Sequence, residues 1–304
     1  SAATLVAYNV TFPEFDGIIT YDSATGQQVT GLDVQVFAPG QRNSFDIVLH
    51  SNGNLYATDN GPNLGYGGKL VDCNKAGPDP AHGDKLNLIR QNSYYGHANR
   101  RRGQTDPRQC TWRGINDAVA GYTRRIADLP SSSNGIMEWP TDHFGGALRG
   151  HLVVGQWGGP LFDITLGSGG TTASAPQILI NNGGLNLVQA PDGTVVVSQH
   201  WNRKVIFHEP SEEPSAALRV KSVFPRRGGR LGNSILSVFG ENFDTYGTPT
   251  VIVGGRSCNI TGSITSNRLT CTLPPGSGTA DVLVSAANAT GTEADVLVAG
   301  YRYI

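Results

Sequence analysis

Two short polar motifs bracket the stretch RNSFDIVLHSNGNLYATDNGPN: Arg42-Asn43 opens it and Asp59-Asn60-Gly61-Pro62-Asn63 closes it. Their residue types suit either ligand contact or plain turn formation. An arginine fork can donate to a ligand or to backbone carbonyls, and Gly-Pro flanked by Asp and Asn is also ordinary turn chemistry. A second candidate is the basic run NRRRGQTDPR, with Arg100, Arg101 and Arg102 at its centre and Arg113, Arg124 and Arg125 nearby. Such a run can bind acidic glycans, or it can be a solvated loop paired to Asp106, Asp117 and Asp128. Trp112, Trp139, Trp157 and Trp201 could stack on sugar rings or fill gaps between sheets. The histidines at His50, His82, His97, His143, His151, His200 and His208 show no metal-type pairing and read mostly as surface or loop residues. His200, beside Trp201 at a strand end, is the exception, a candidate ligand contact. The nucleophile motif GxSxG does not occur.

The elements that must position these residues are short strands. Of 304 residues 40 are glycine and 17 proline, while charged residues make up only 15%. Turn formers between brief Val/Ile/Leu runs predict an all-β fold in two domains. A net charge of −1 excludes a general polyanion binder, and no apolar run approaches the roughly 18 to 20 residues of a membrane span. One repeat is visible: Phe45–Val48, Asn52-Gly53, Leu55–Asp59 aligns with Leu185–Val188, Asp192-Gly193, Val195–Gln199. Each is strand, tight turn, strand, and a looser copy runs from Leu148-Arg149-Gly150 through Leu152–Gly155. A further strand follows each copy, at Lys85–Arg90, Leu161–Leu166 and Lys204–His208. Repeated antiparallel units predict β-propeller blades, with one long insertion at about 64–125. Composition changes at HEPSEEPSAALR. The expected division is therefore a propeller portion over 1–210, a linker over 211–216 and an immunoglobulin-like sandwich over 217–304.

The four cysteines lack zinc-site spacing and predict two disulfides, Cys73–Cys110 and Cys258–Cys271. With sequons at Asn9, Asn259 and Asn288, they predict a secreted, extracellular glycoprotein. No signal-peptide pattern opens the sequence.

The motifs GQRNSFDIVLHSNGNLYATDNGPN…GDKLNLIRQNSYYGH, SSSNGIMEWP…FGGALRGHLVVGQW and GLNLVQAPDGTVVV resemble the soluble quinoprotein sugar dehydrogenases. These are six-bladed propellers that use pyrroloquinoline quinone (PQQ) and calcium. The resemblance implies that Arg42 and Asn43 contact the quinone and that Gly61 and Pro62, beside Asp59, hold Ca²⁺. The remainder, VKSVFPRRGGRLGNSILSVFGENF…VIVGGRSC…LTCTLPPGSGTADVLV, resembles IPT/TIG domains, modules of cell-surface receptors.

The departures from the quinoprotein pattern are as informative. Its general-base histidine lies upstream of the residues present, so no catalytic residue is assigned. A cofactor-binding lysine is replaced by Trp157, and two arginines by Gly183 and Leu185. The blades fall short of a six-bladed ring, which predicts a second polypeptide or precursor half completing it. The expectation is a secreted binding or structural module on a degenerate propeller, with a TIG domain for contacts with other proteins and a capacity for glycans. The alternative is a Ca²⁺- and PQQ-dependent sugar dehydrogenase whose missing half supplies the base.

Overall fold

A computed structural model describes residues 3–13, 15–18, 20, 22, 33–62, 68–70, 73, 76–78, 83–112, 121–213, 215–288 and 291–304. The fold is all-β. No helix among these residues is long and apolar enough to cross a membrane.

The chain opens with β1 (Ala3–Tyr8) paired antiparallel to β2 (Val34–Gln41). Next come β3 (Ser44–Leu49) and β4 (Leu55–Asp59), the expected hairpin, turning at Gly53 with φ +84° as an Asn-Gly turn requires. A small hairpin, β5 (Gly68–Leu70) with β6 (Ala76–Pro78), precedes β7 (Asp84–Ile89) and β8 (Ala127–Leu129). The first main sheet has the order β3-β4-β7-β8. Residues 64–125 are therefore not one insertion but two excursions around a core strand. β7 is buried at every position because both of its faces are covered. Leu86 and Leu88 join one apolar cluster and Ile89 another.

The second sheet is a sequential meander of β9 (Ser133–Glu138), β10 (Leu152–Gln156), β11 (Leu161–Ile164) and β12 (Gln177–Ile180). Its opening strand is β9, not Leu148-Arg149-Gly150, which lies in the connection to β10. The sequence hides this because SNGIME carries its apolar residues at one end only. Between the first two sheets lies a core of Tyr56, Leu86, Leu129, Ile136, Leu152, Val154 and Ile164. Fully burying each such side chain is worth about 1.5–3 kcal/mol. The third sheet has three strands, β13 (Asn186–Gln189), β14 (Val195–Gln199) and β15 (Lys204–His208).

By compactness the chain divides into two units. One comprises Ser1–Glu138, Gly150–Leu187 and Val197–Val205. The other gathers Trp139–Arg149, Val188–Val196 and Ile206–Ile304. The latter contains a sandwich built from β16 (Arg219–Phe224), β17 (Arg227–Gly228), β18 (Ile235–Glu241), β19 (Thr250–Val253), β20 (Arg256–Ser257), β21 (Asn259–Ile260), β22 (Arg268–Thr272), β23 (Gly278–Asn288) and β24 (Gly291–Tyr303). Its two sheets run β16-β18-β22-β21 and β17-β24-β23-β19-β20. Alternating residues of both close on one core, among them Val223, Val238, Leu269, Val253, Val284 and Tyr301. Both disulfides are formed, and Cys258 and Cys271 are part of that core.

Candidate functional site

In the first unit the same end of each sheet carries the predicted site residues. It is the end where β3, β7, β9 and β13 begin and where β4, β10 and β14 finish. Two buried carboxylates organise it. Asp59 Oδ1 accepts from the backbone N–H groups of Arg42 (3.0 Å) and Asn43 (2.9 Å). Its Oδ2 lies 3.3 Å from Lys85 Nζ, an ion pair without hydrogen-bond alignment. Asp84 accepts from Gly61 N–H (2.9 Å), Ser133 N–H (2.8 Å) and the Asn60 amide (2.8 Å). Burial pushes the Asp84 carboxyl above the usual range, opposed by those three donors, with the charge of Asp59 adding to the rise.

From this pair a chain of bonds crosses the unit. The Asn43 amide donates to Asn60 Oδ1 (2.9 Å) and the Asn60 amide to Ser133 O (2.6 Å). Ser132 O accepts from Trp157 N–H (2.8 Å), and Ser131 O from the Gln156 amide (2.8 Å). Gly183 N–H donates to Gly159 O (3.1 Å). Gln199 bonds Asn182 Oδ1 (2.6 Å) and Gly183 O (2.8 Å), and Asn202 donates to Gln199 Oε1 (2.9 Å).

The structure thus brings Arg42, Asn43, Asp59, Gly61, Pro62, Trp157, His200 and Trp201 to one end. Gly61 and Pro62 are buried, Arg42 is half-buried and Asn43 exposed. Among the four tryptophans, Trp112 and Trp139 are buried, whereas Trp157 is 52% and Trp201 37% exposed. Asn63 and His82 lie outside the described residues. Asp84, Lys85, Asn182, Gln199 and Asn202 were missed by sequence reasoning, while Asn60 stood inside the turn it picked out. The available signal was their shared place at strand ends in successive repeats.

The described histidines lie mostly in loops and turns, as expected, but not all at the surface: His50, His97 and His143 are buried. His50 Nδ1 accepts from Asn52 N–H (3.0 Å), so its Nε2 carries the proton donated to Gly150 O (2.8 Å). The arginine expected at the Gly183 position has no room. A Cβ there would lie 2.5 to 2.7 Å from backbone atoms of Gly159, Pro160 and Leu161.

The basic run does not join the site. Arg100 and Arg101 lie in the short helix α1 (Arg100–Gly103). The Arg102 guanidinium donates to Thr4 Oγ1, Arg108 pairs with Asp106 (2.8 Å) and Arg125 with Asp128 (2.7 Å). Arg113 and Asp117 lie outside the described residues. Asn9, Asn259 and Asn288 are all exposed, and Asn9 Oδ1 accepts from Thr11 N–H and Oγ1.

The second unit has a separate cavity of about 390 Å³ over β16. Lys221 is clamped there between Glu212 and Glu241, and Arg149 pairs with Asp142 (2.9 Å).

Residues 218–298 match the family described as the IPT/TIG domain. That is the sandwich expected at the C-terminal end. No curated protein matches the chain. Among solved structures it is similar to an auxiliary nutrient binding protein from Bacteroides thetaiotaomicron, at 24% identity over 30% of this chain and 22% of that one, TM-score 0.26. It is also similar to SGBP-B from a complex xyloglucan utilization locus in Bacteroides uniformis, at 15% identity over 50% and 44%, TM-score 0.22. A third is the full extracellular region of plexin A4, at 13% identity over 65% and 18%, TM-score 0.25. The chain spans less than half the length of each of these structures. Likenesses at such scores do not establish a shared fold.

Proposed function

We propose that this protein is an extracellular binding module. Its first three sheets serve as blades of a degenerate sugar dehydrogenase-type propeller, and its TIG domain makes contacts with other proteins. The observation that carries this reading is the saturation of the end face. Both central carboxylates are engaged by backbone N–H groups, Asn60 and Lys85. A carboxylate so engaged holds turns together; using it as a base or metal ligand would strand several buried donors, at about 1–3 kcal/mol each. Two formed disulfides and three exposed sequons support an oxidising, extracellular setting.

A quinone–calcium site fits these residues poorly. PQQ is a polycarboxylate and needs cations, yet Lys85 is buried and paired with Asp59. Trp157 and Gly183 stand where the resemblance expects a lysine and an arginine, and Gly183 has no space for a side chain. We therefore derive no redox step. No observation favours the dehydrogenase reading over binding.

The test is a dye-reduction assay of the full chain with added Ca²⁺, PQQ and glucose. No turnover above buffer is expected. Saturable turnover lost in Arg42→Ala would overturn the binding reading.

A further inference from the structure

We infer that Trp157, His200 and Trp201 form a stacking platform for a neutral oligosaccharide at the end face of the first unit. This rests on the reading of that face as a binding surface and names its ligand class. Four backbone or amide bonds fix the turn that carries Trp157. Ser132 O holds its own N–H (2.8 Å) and Ser131 O holds the Gln156 amide (2.8 Å). Gln156 O accepts from Gly159 N–H (3.2 Å), and Gly159 O accepts from Gly183 N–H (3.1 Å). Gly158 has φ +70°, and a Cβ there would meet nothing within 4 Å, so the space over the turn is open.

A tryptophan held rigidly yet 52% exposed forgoes much of the apolar burial it could contribute to the fold. A single such residue would be unremarkable. Here the His200 ring meets Trp157 edge-on, with centroids 5.4 Å apart. Trp201 follows in the same turn, which is closed by Arg203 N–H donating to His200 O (3.2 Å). Neutral amides stand in the same turns: Asn182, Gln199 and Asn202 are tied to one another and Gln156 to Ser131 O, beside the exposed cations Arg203 and Lys204.

That combination matches a pyranose. Its C–H face is apolar and suits an indole, and its equatorial hydroxyls both donate and accept, as amides do. A polyanion would need a cationic cluster, and this turn offers only Arg203 and Lys204, which makes a charged probe the deciding comparator. Binding sites of this kind pair an aromatic floor with a few fixed polar groups.

The experiment is affinity electrophoresis and tryptophan-fluorescence titration of the full chain. The probes are cellohexaose, mannohexaose and xylohexaose, with heparin as a charged comparator. At least one neutral probe should shift the emission. Trp157→Ala should weaken its binding about tenfold or more, with Trp157→Phe intermediate and Ile178→Ser, a substitution of an exposed apolar residue of β12, unchanged. Heparin should not compete. Matched thermal unfolding of the variants separates binding loss from misfolding.

The inference is overturned if no neutral probe binds, or if heparin alone does. It is also overturned if Trp157→Ala and Trp201→Ala both keep wild-type affinity, or if only a protein partner is captured through these residues. In that last outcome the end face remains a binding surface, so the broader reading survives. Cofactor-dependent sugar oxidation sinks the broader reading instead.

Discussion

His143 shows how one buried side chain can make stability depend on pH. It sits in the second unit with Nδ1 2.9 Å from Thr141 Oγ1. Gly193 lies so close that a Cβ there would be 2.4 Å from the ring. Burial holds the imidazole below the ordinary histidine range, partly opposed by Glu212, Asp192 and Glu241 and assisted by Lys221. A histidine depressed in the folded state contributes stability above its unfolded value, near 6.5, and loses it as pH falls through the folded value. One proton sets the slope at no more than about 1.4 kcal/mol per pH unit. Unfolding of the wild type should therefore become easier relative to His143→Gln as pH is lowered from 6.5 to 5. Parallel pH profiles for the two proteins would refute this. None of this was legible in the sequence. An isolated histidine in TDHFGG reads as a loop residue, and only the approach of Gly193, fifty residues away, buries it. Asp59, Gly61 and Pro62 could be picked out as a turn because turn chemistry is local. Their partners Asp84 and Lys85 could not, since a buried Asp-Lys pair inside GDKLNLI looks like the polar edge of a strand.

At the scale of elements, legibility follows sequence separation. Hairpins announced by Asn-Gly or Asp-Gly were placed correctly, because the turn fixes the register of the strands beside it. β9 escaped because thirteen residues separate it from β10 and no tight turn joins them. β7 was noticed as a strand yet folded into an insertion, since the loops on either side outweigh its six residues. In the sandwich, alternation beside local turns makes strands such as β19 and β23 legible. One covalent link there supports a prediction. Cys258 and Cys271 close a short loop, β21 lying between them and pairing with β22 at Ile260 and Cys271. Cross-linking a loop of this length restricts the unfolded chain by about 3 kcal/mol. Replacing both cysteines by alanine also removes two buried sulfurs from the core. Urea unfolding followed by full-chain circular dichroism should show the transition of the TIG domain lowered by about 3 kcal/mol. A shift under about 0.5 kcal/mol would mean that the link merely decorates a loop already fixed.

At the scale of the molecule, the proposed blades leave a surface that a finished propeller would cover. Among the described residues β3 and β15 each pair on one side only, β3 with β4. Its alternate residues Phe45, Ile47 and Leu49 are 40%, 47% and 55% exposed, while Asp46 and Val48 point to the other face. Their cross-strand neighbours Ala57 and Leu55 sit under β2 residues in a small core, so the same face is covered at β4 and bare at β3. β15 likewise exposes Val205 and Phe207. A bare apolar strip beside an unpaired edge invites association. Completing the burial of three such side chains is worth roughly 2–4 kcal/mol, enough to favour a cognate sheet over solvent. We therefore expect native mass spectrometry of the purified protein to show an assembly heavier than the 32.2 kDa sequence mass plus glycans. A second polypeptide supplying further strands should be part of it. Phe45→Ser combined with Ile47→Ser should release a lone chain without unfolding it, because both side chains are exposed and neither belongs to an apolar core cluster among the described residues. A wild type that flies only as the lone chain would mean that these sheets need no completion, and the case for a shared propeller would fall with it.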